Sequence, residues 1–323
     1  MKNHLKRIKF YIGPMSKNVV DSIIDYSLED DHPIGLIPSR RQIDYNGGYV
    51  NNWTTRTFSE YQNIITILER DHGGIGQGCE FDNGILSFYE DANYFDIIHI
   101  DPWLIYKNDF YKGLQETIDN IKYIHKLNQS CLFEVGTEES ICYFSEEQLH
   151  KMLTILNERL GPILFNKIVY CVVQSGTKLE GTKNTGIFDP ERLKNMISIC
   201  SDFELLSKEH NGDYLDKTDI KQRFDLGLSA INIAPEFGVF ETDILLEHMT
   251  DDQKDKFFKI CYESKKWEKW VNKDFNPFEN KIELMRICGH YQFSTKEFKE
   301  LNLDFDNIIK EKLYIKIKKM CEL

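Results

Sequence analysis

Eight short apolar runs, separated by helix-patterned stretches between Ile8 and Pro235, constrain this sequence more than any other feature. They are Ile8–Gly13, Gly35–Pro38, Ile64–Asp71, Phe95–Asp101, Cys131–Thr137, Ile168–Ser175, Phe203–His210 and Ala230–Pro235. Short runs of this kind, bounded by turn residues, read as buried parallel strands. Between them apolar residues recur at helical spacing. Val19, Val20, Ile23 and Ile24 follow the candidate N-cap Ser16, and Leu114, Ile118, Ile121 and Ile124 fill the fourth connection. Ser145 with Gln148 reads as a capping box ahead of Leu149, Leu153, Leu156 and Leu160. Asp189-Pro190 supplies an N-cap and a first-turn proline, and Gly227 ends a helix begun near Thr218. Eight strand–helix repeats predict an α/β fold, a (β/α)8 TIM barrel over residues 1–249. An open doubly wound sheet has the same parts, but the count favours closure, and no G-x-G-x-x-G follows the first strand.

Past Thr250 the character changes. Thr250 with Gln253, and Ser294 with Glu297, read as capping boxes of helices rich in Lys, Phe and Trp. Residues 250–323 are expected to form a C-terminal helical extension packed on the barrel, covering it or making a subunit contact. A net charge of −12 argues against a nucleic acid or an anionic membrane as partner. No apolar stretch approaches the roughly twenty residues of a spanning helix, and the apolar run after the basic start is too short for a signal peptide. The cysteines at 79, 131, 142, 171, 200, 261, 288 and 321 form no C-x-x-C pair. They read as free thiols, and the chain as cytoplasmic.

Parallel α/β barrels place their chemistry at the carboxyl ends of the strands. Polar residues collect there: Arg40, Gln42 and Asp44; Asp71 and His72; His99 and Asp101; Glu134; Gln174; Glu209 and His210; Asn232. His72 and His210 are the expected metal ligands, with Glu134 as the third and Gln174 and His99 as rivals. His99 alternates with Asp101 and is expected as a buried, satisfied residue. Asp71 reads as a general base, or as a carboxylate that orients a histidine. Because Asp71 and His72 are adjacent, the Gly73-Gly74 break has to turn one of them back into the mouth. Two glycine-rich loops, 74–78 and 176–186, are expected either to cradle a phosphate, the second with Lys178 and Lys183, or to be plain turns.

Several segments then line up with a family. They are Gln42-Ile43-Asp44 with Gly47-Gly48-Tyr49, Asp71-His72, Ile98-His99-Ile100-Asp101, Val172-Val173-Gln174-Ser175-Gly176, Glu209-His210 with Asp213-Tyr214, and Ala230 to Pro235. Together they resemble the tagatose-bisphosphate aldolase subunits usually called non-catalytic, and more distantly the class II, metal-dependent fructose-bisphosphate aldolases. The resemblance runs over nearly the whole chain. It implies Zn²⁺ or another divalent metal on His72 and His210, with Asp71 as acid/base. Asp71, Glu134 and Asp101 are the expected catalytic residues. Arg40, Gln42, Asp44, Gln174, Lys178, Lys183 and Asn232 are the expected substrate contacts. Gln174 departs from the family by standing where a further metal histidine belongs, and Asn232 or a neighbour replaces a lysine. Glu138-Glu139 adds negative charge in the fifth loop.

The expected activity is an aldol-type reaction on a ketose or ketose phosphate through an enediolate, either C3–C4 cleavage or C4 epimerisation. Two alternatives stand beside it. One is a stabilising subunit of a separate catalytic aldolase; the other is a metal-free barrel that binds or isomerises sugar phosphates. Expected partners are the sugar and either a second copy of the chain or a partner aldolase subunit.

Overall fold

The computed structural model describes residues 2–30, 32–62, 67–78 and 83–322. Residues 64–66 of the third apolar run, and Cys79, lie outside the described residues. The eight barrel strands are β1 (Phe10–Ile12), β2 (Gly35–Leu36), β3 (Glu69–Gly73), β4 (Ile97–Ile100), β5 (Leu132–Val135), β6 (Ile168–Val173), β9 (Leu206–Glu209) and β10 (Ala230–Ile233). Between β6 and β9 the strands β7 (Leu179–Glu180) and β8 (Lys183–Asn184) form a small antiparallel hairpin that the apolar pattern does not announce. The barrel strands pair in parallel in the order β2-β1-β10-β9-β6-β5-β4-β3. Closure comes from β2 meeting β3 through parallel bridges Leu36–Leu68 and Ser39–Asp71. The result is the (β/α)8 barrel that eight repeats predict.

The helices form as their caps dictate. Ser16 Oγ accepts from the Val19 N–H at the start of Lys17–Glu29, Ser145 and Gln148 close a capping box on Glu146–Phe165, and Asp189 caps Pro190–Asp202. One apolar cluster fills the space between sheet and helices, with Ile23, Ile118, Leu153, Met196 and Phe237 among its members. A second cluster, which includes Tyr11, Ile67, Ile97, Val169, Tyr170 and Leu206, fills the barrel interior.

The C-terminal segment joins the first cluster. Ile309, Leu313 and Ile317 of helix Asp306–Cys321 are buried, each worth about 1.5–3 kcal/mol of burial. This helix lies on Lys17–Glu29, where the Tyr26 and Tyr314 rings meet at 6.0 Å and Ser22 Oγ donates to the Lys310 carbonyl. The Thr250–Gln253 capping box is present, but the second one shifts by a residue. Thr295, not Ser294, caps Lys296–Lys299, because Ser294 Oγ accepts from the Asn51 N–H. Among the described residues no helix is long and apolar enough to cross a membrane, and the seven described cysteines are free thiols.

Candidate active site

Strand alternation decides which side chains enter the barrel. On β3, Glu69 and Asp71 point inward. Arg70 points outward, where it donates to Asp91 and to the carbonyls of Pro38 and Ile43. On β9, Lys208 points inward and the next inward position is His210. Glu209 points outward, against Arg223 and Ser175. Glu209 is therefore a packing group outside the mouth, although it ends a strand.

Adjacent Asp71 and His72 nevertheless both reach the mouth. The β3–β4 register slips between Arg70 and Gly73, and His72 takes the left-handed conformation with φ 47°. A bulge at His72 itself does the turning. Gly73 and Gly74 have another reason to be glycine: a Cβ there would stand 2.7 Å from the His99 carbonyl oxygen and 2.8 Å from that of Asp101.

Three histidines converge on one oxygen. Asp71 Oδ1 is buried and has no hydrogen-bond partner. His72 Nε2 stands 3.5 Å from it, and the Nδ1 atoms of His99 and His210 each stand 3.6 Å away. These distances are too long for good hydrogen bonds. Each imidazole is tied at its far nitrogen. His72 Nδ1–H donates to Asp101 Oδ2 at 2.6 Å, His99 Nε2–H donates to the Gly136 carbonyl at 3.0 Å, and His210 Nε2 faces Glu134 Oε1 at 3.4 Å. The partners are tied in turn, Asp101 by Thr137 Oγ1 at 3.1 Å and Glu134 by Lys208 Nζ at 3.1 Å.

This donor set fits a divalent metal. Ligating histidines characteristically give their second nitrogen to a carboxylate or carbonyl. Nitrogen and oxygen ligands at about 2.0–2.2 Å in a tetrahedron stand roughly 3.3–3.5 Å apart, close to the 3.5–3.6 Å that separates Asp71 Oδ1 from each histidine nitrogen. Among the described residues, ligand atoms come within 4.8 Å of one another in three groupings: Asp71–His99–His210, His72–Glu138–His210 and His72–His99–Asp101. Each contains two of the three histidines.

In the metal-free chain the cluster is strongly polarised. Burial works against charge on His72, but Asp71 and Asp101 outweigh it and hold the imidazole up to about 10. Burial likewise pushes the Asp71 carboxyl up, and the charges of His72, His210 and His99 pull it below the ordinary carboxylate range. Beneath lies a fully buried charge layer. Lys208 Nζ sits 2.5 Å from Glu69 Oε2, with the Tyr11 and Tyr170 ring centroids 3.9 and 4.1 Å away.

The remaining residues fall into place unevenly. Glu134, expected as a ligand and in catalysis, stands behind His210 and holds Lys208; Asp101, expected in catalysis, stands behind His72. His99 is fully buried and hydrogen-bonded at both ring nitrogens, as expected, and its Nδ1 also faces the centre. Glu138 joins the cluster through His72 and His210. Gln42 lines the mouth cavity with Asp71 and His72. Asn232 is buried on β10 with both amide atoms unpartnered.

Four expected substrate contacts are engaged elsewhere, and a fifth stands in solvent. Arg40 is wholly buried, donating to the Gly74 carbonyl and pairing with Asp91. Asp44 Oδ1 accepts from the Tyr45 N–H. Gln174 spends its amide on Phe144 N–H, Arg192 and the carbonyls of Thr137 and Cys142. Lys178 pairs with Glu180 on the exposed hairpin, and Lys183 lies exposed on its second strand. The glycines of that loop serve packing, since a Cβ on Gly186 would fall 1.7 Å from the Gly176 oxygen.

A cavity of about 330 Å³ opens over the cluster. Besides Asp71, His72 and Glu138 it is lined by Arg41 and Tyr49, and by Lys269, Trp270, His290 and Tyr291 of the C-terminal extension. Sequence reasoning missed these last residues. The signal for His99, by contrast, was present, since it lies two positions before Asp101 and so shares its face.

No protein-family model matches the sequence, and no curated protein does. Solved structures do match. The chain is similar to a probable tagatose 6 phosphate kinase from Sinorhizobium meliloti 1021, with TM-score 0.75 and 13% identity, over 94% of this chain and 87% of that one. It is similar to the fructuronate-tagaturonate epimerase of Cohnella laeviribosi, with TM-score 0.65 and 9% identity, over 98% and 80%. A fructose-bisphosphate aldolase from Campylobacter jejuni matches with TM-score 0.55 and 13% identity, over 99% and 92%. An aldolase is thus among the structural neighbours, as the motif resemblance led one to expect. At such identities these likenesses establish a shared barrel fold, and a fold of this kind hosts many chemistries.

Proposed function

We propose that the chain is a metal-dependent enzyme acting on an open-chain ketose or ketose phosphate through an enediolate, by C3–C4 aldol cleavage or C4 epimerisation. One observation carries the reading: three imidazoles, each anchored at its far nitrogen, face one buried unpartnered oxygen of Asp71 beneath an open cavity. His72, His99 and His210 would supply the nitrogen ligands, two at a time in these groupings, with Asp71 or Glu138 as the carboxylate. A bound divalent ion supplies Lewis-acid stabilisation of the negative charge that develops on substrate oxygens.

The chain's own groups do the rest. Asp71 is 19% exposed at its side chain and lines the cavity, so it touches both the histidines and the substrate space. Ionised, it is in the state that accepts a proton from a C4 hydroxyl. Cleavage follows if the aldehyde leaves; epimerisation follows if the aldehyde turns and adds back. The epimerase and aldolase among the structural neighbours support this class of reaction.

The test is metal content and affinity of the purified chain beside His72→Ala, His99→Ala and His210→Ala. We expect about one divalent ion per chain, lost or much weakened in all three variants, and then aldehyde release or a C4 epimer in a screen of ketoses and ketose phosphates. A folded wild type that binds no divalent ion would sink the reading.

A further inference from the structure

The mouth cavity has a second wall that the histidine side does not explain. The turn Glu268–Trp270 brings Lys269 and Trp270 to the cavity, and the turn Gly289–Tyr291 brings His290 and Tyr291. The Lys269 ammonium lies 4.7 Å from the Trp270 ring centroid and 5.1 Å from that of Tyr291. Cation–π attraction keeps the charge against this aromatic surface. Arg41 enters the same wall from the loop after β2. Its carbonyl accepts from the Tyr49 N–H at 3.1 Å, and the Tyr49 ring meets Tyr291 at 4.8 Å. A continuous path of contacts, Arg41–Tyr49–Tyr291–Lys269, therefore joins barrel and extension.

Arg41 and Lys269 are the Lys and Arg residues among those lining the cavity. The lining carboxylates, Asp71 and Glu138, belong to the histidine cluster. A neutral sugar needs hydroxyl partners and an aromatic face; it does not need two cations brought together from segments more than two hundred residues apart in the chain. Charge of this sign, beside an aromatic wall and within one cavity, matches a substrate with a negative end.

We propose that Arg41 and Lys269 are specificity-determining residues that select substrates carrying an anionic group, phosphate or carboxylate, on the end of the carbon chain remote from the reacting carbons. This rests on the ketose reading above and assigns the C-terminal extension a direct part in substrate choice. It also moves the anion site away from the glycine-rich hairpin.

The experiment measures binding rather than turnover. The protein as purified is titrated calorimetrically with sorbitol, sorbitol 6-phosphate and gluconate, open-chain polyols without a reacting carbonyl. We expect at least one anionic polyol to bind about tenfold or more tightly than sorbitol, as charge-assisted hydrogen bonds provide. Which of the two does so separates phosphate from carboxylate. In Lys269→Met with Arg41→Gln that preference disappears, and metal content measured alongside reports an intact barrel. Equal affinities for the three polyols in the wild type, or a preference retained in the double variant, would overturn the proposal and leave the ketose site standing. Failure of every polyol to bind would overturn both.

Discussion

Replacing Lys208 by Met tests the charge layer beneath the histidines. Lys208 has no exposed surface, and its Nζ lies 2.5 Å from Glu69 and 3.1 Å from Glu134. Burial pushes both carboxyls up and the Lys208 charge pulls both down; His210 pulls on Glu134 as well. The balance leaves Glu69 well above the ordinary range and Glu134 well below it. One ammonium thus faces two carboxyl groups, and Glu134 is the one that it and His210 pull down. Methionine keeps the apolar stem between Tyr11 and Tyr170 but strands Glu134. Breaking a buried pair from one side costs about 3–5 kcal/mol. Glu69→Gln leaves Glu134 to balance the lysine and costs about 1 kcal/mol. Glu134→Gln leaves the Glu69 carboxyl, 2.5 Å from Nζ, to balance the lysine, and so also costs less than the first figure. A protonated Glu134 also loses its hold on His210, so Lys208→Met weakens metal binding by about 10–100-fold. Urea unfolding of metal-free protein and competition with a chelator measure the two effects. The reasoning fails if Lys208→Met costs under about 1 kcal/mol, or if either glutamine variant costs as much as Lys208→Met.

Two further outcomes follow from the titrating groups. His72, held up to about 10 against its burial by Asp71 and Asp101, is an imidazolium at pH 7.5 in the metal-free chain. A ligating imidazole must be neutral, so metal binding at that pH releases at least one proton, His99 being raised against its burial by Glu134, Asp71 and Asp101 as well; calorimetric heats that do not differ between HEPES and Tris would refute this. Burial first, and neighbouring acids second, bring Asp213 and Glu241 to about 7, above their unfolded values near 4. The folded chain then binds more protons than the unfolded one between about pH 4 and 7, so their contribution is full on the acid side and is lost as pH rises. Asp71 and Asp101 have the opposite sign, but their window closes below about pH 4. His290, held down to about 3 by burial and by Lys269, opposes Asp213 and Glu241 up to about pH 6.5 but is one group against two. Metal-free protein should have a higher urea midpoint at pH 5 than at pH 8, with Glu241→Gln reducing the difference; a midpoint that climbs with pH would contradict it.

What the sequence disclosed and what it withheld divide along a physical line. The strands were legible because burial on both faces makes apolar runs, and the helices because their caps and 3–4 spacing are local. Strand-end position identified Asp71, His72 and His210, and alternation contained the information that His99 shares a face with Asp101. Period 2 tells only which face a residue occupies. It does not tell a side chain that faces the centre of the cluster from the group behind it, and Glu134 and Asp101 stand behind His210 and His72. Nor does a charge at a strand end reveal its direction: Arg40 turns away to the Gly74 carbonyl and Asp91, and Gln174 turns to backbone.

The second wall of the cavity was beyond any local pattern, because it depends on where two short turns of the extension land. Their landing is fixed by contacts with the barrel. A Cβ on Gly238 would stand 2.9 Å from the His290 side chain, so the helix after β10 and the Gly289–Tyr291 turn approach as closely as a glycine allows. Tyr49 then meets Tyr291 edge to face, and helix Asp306–Cys321 is held on Lys17–Glu29 by a buried apolar seam. One core therefore runs from the barrel into the extension. Removing residues 250–323 would expose that seam and take Lys269, Trp270, His290 and Tyr291 from the cavity together. The extension is part of the site's construction, and a chain cut before it would lose packing and the cationic wall in a single step.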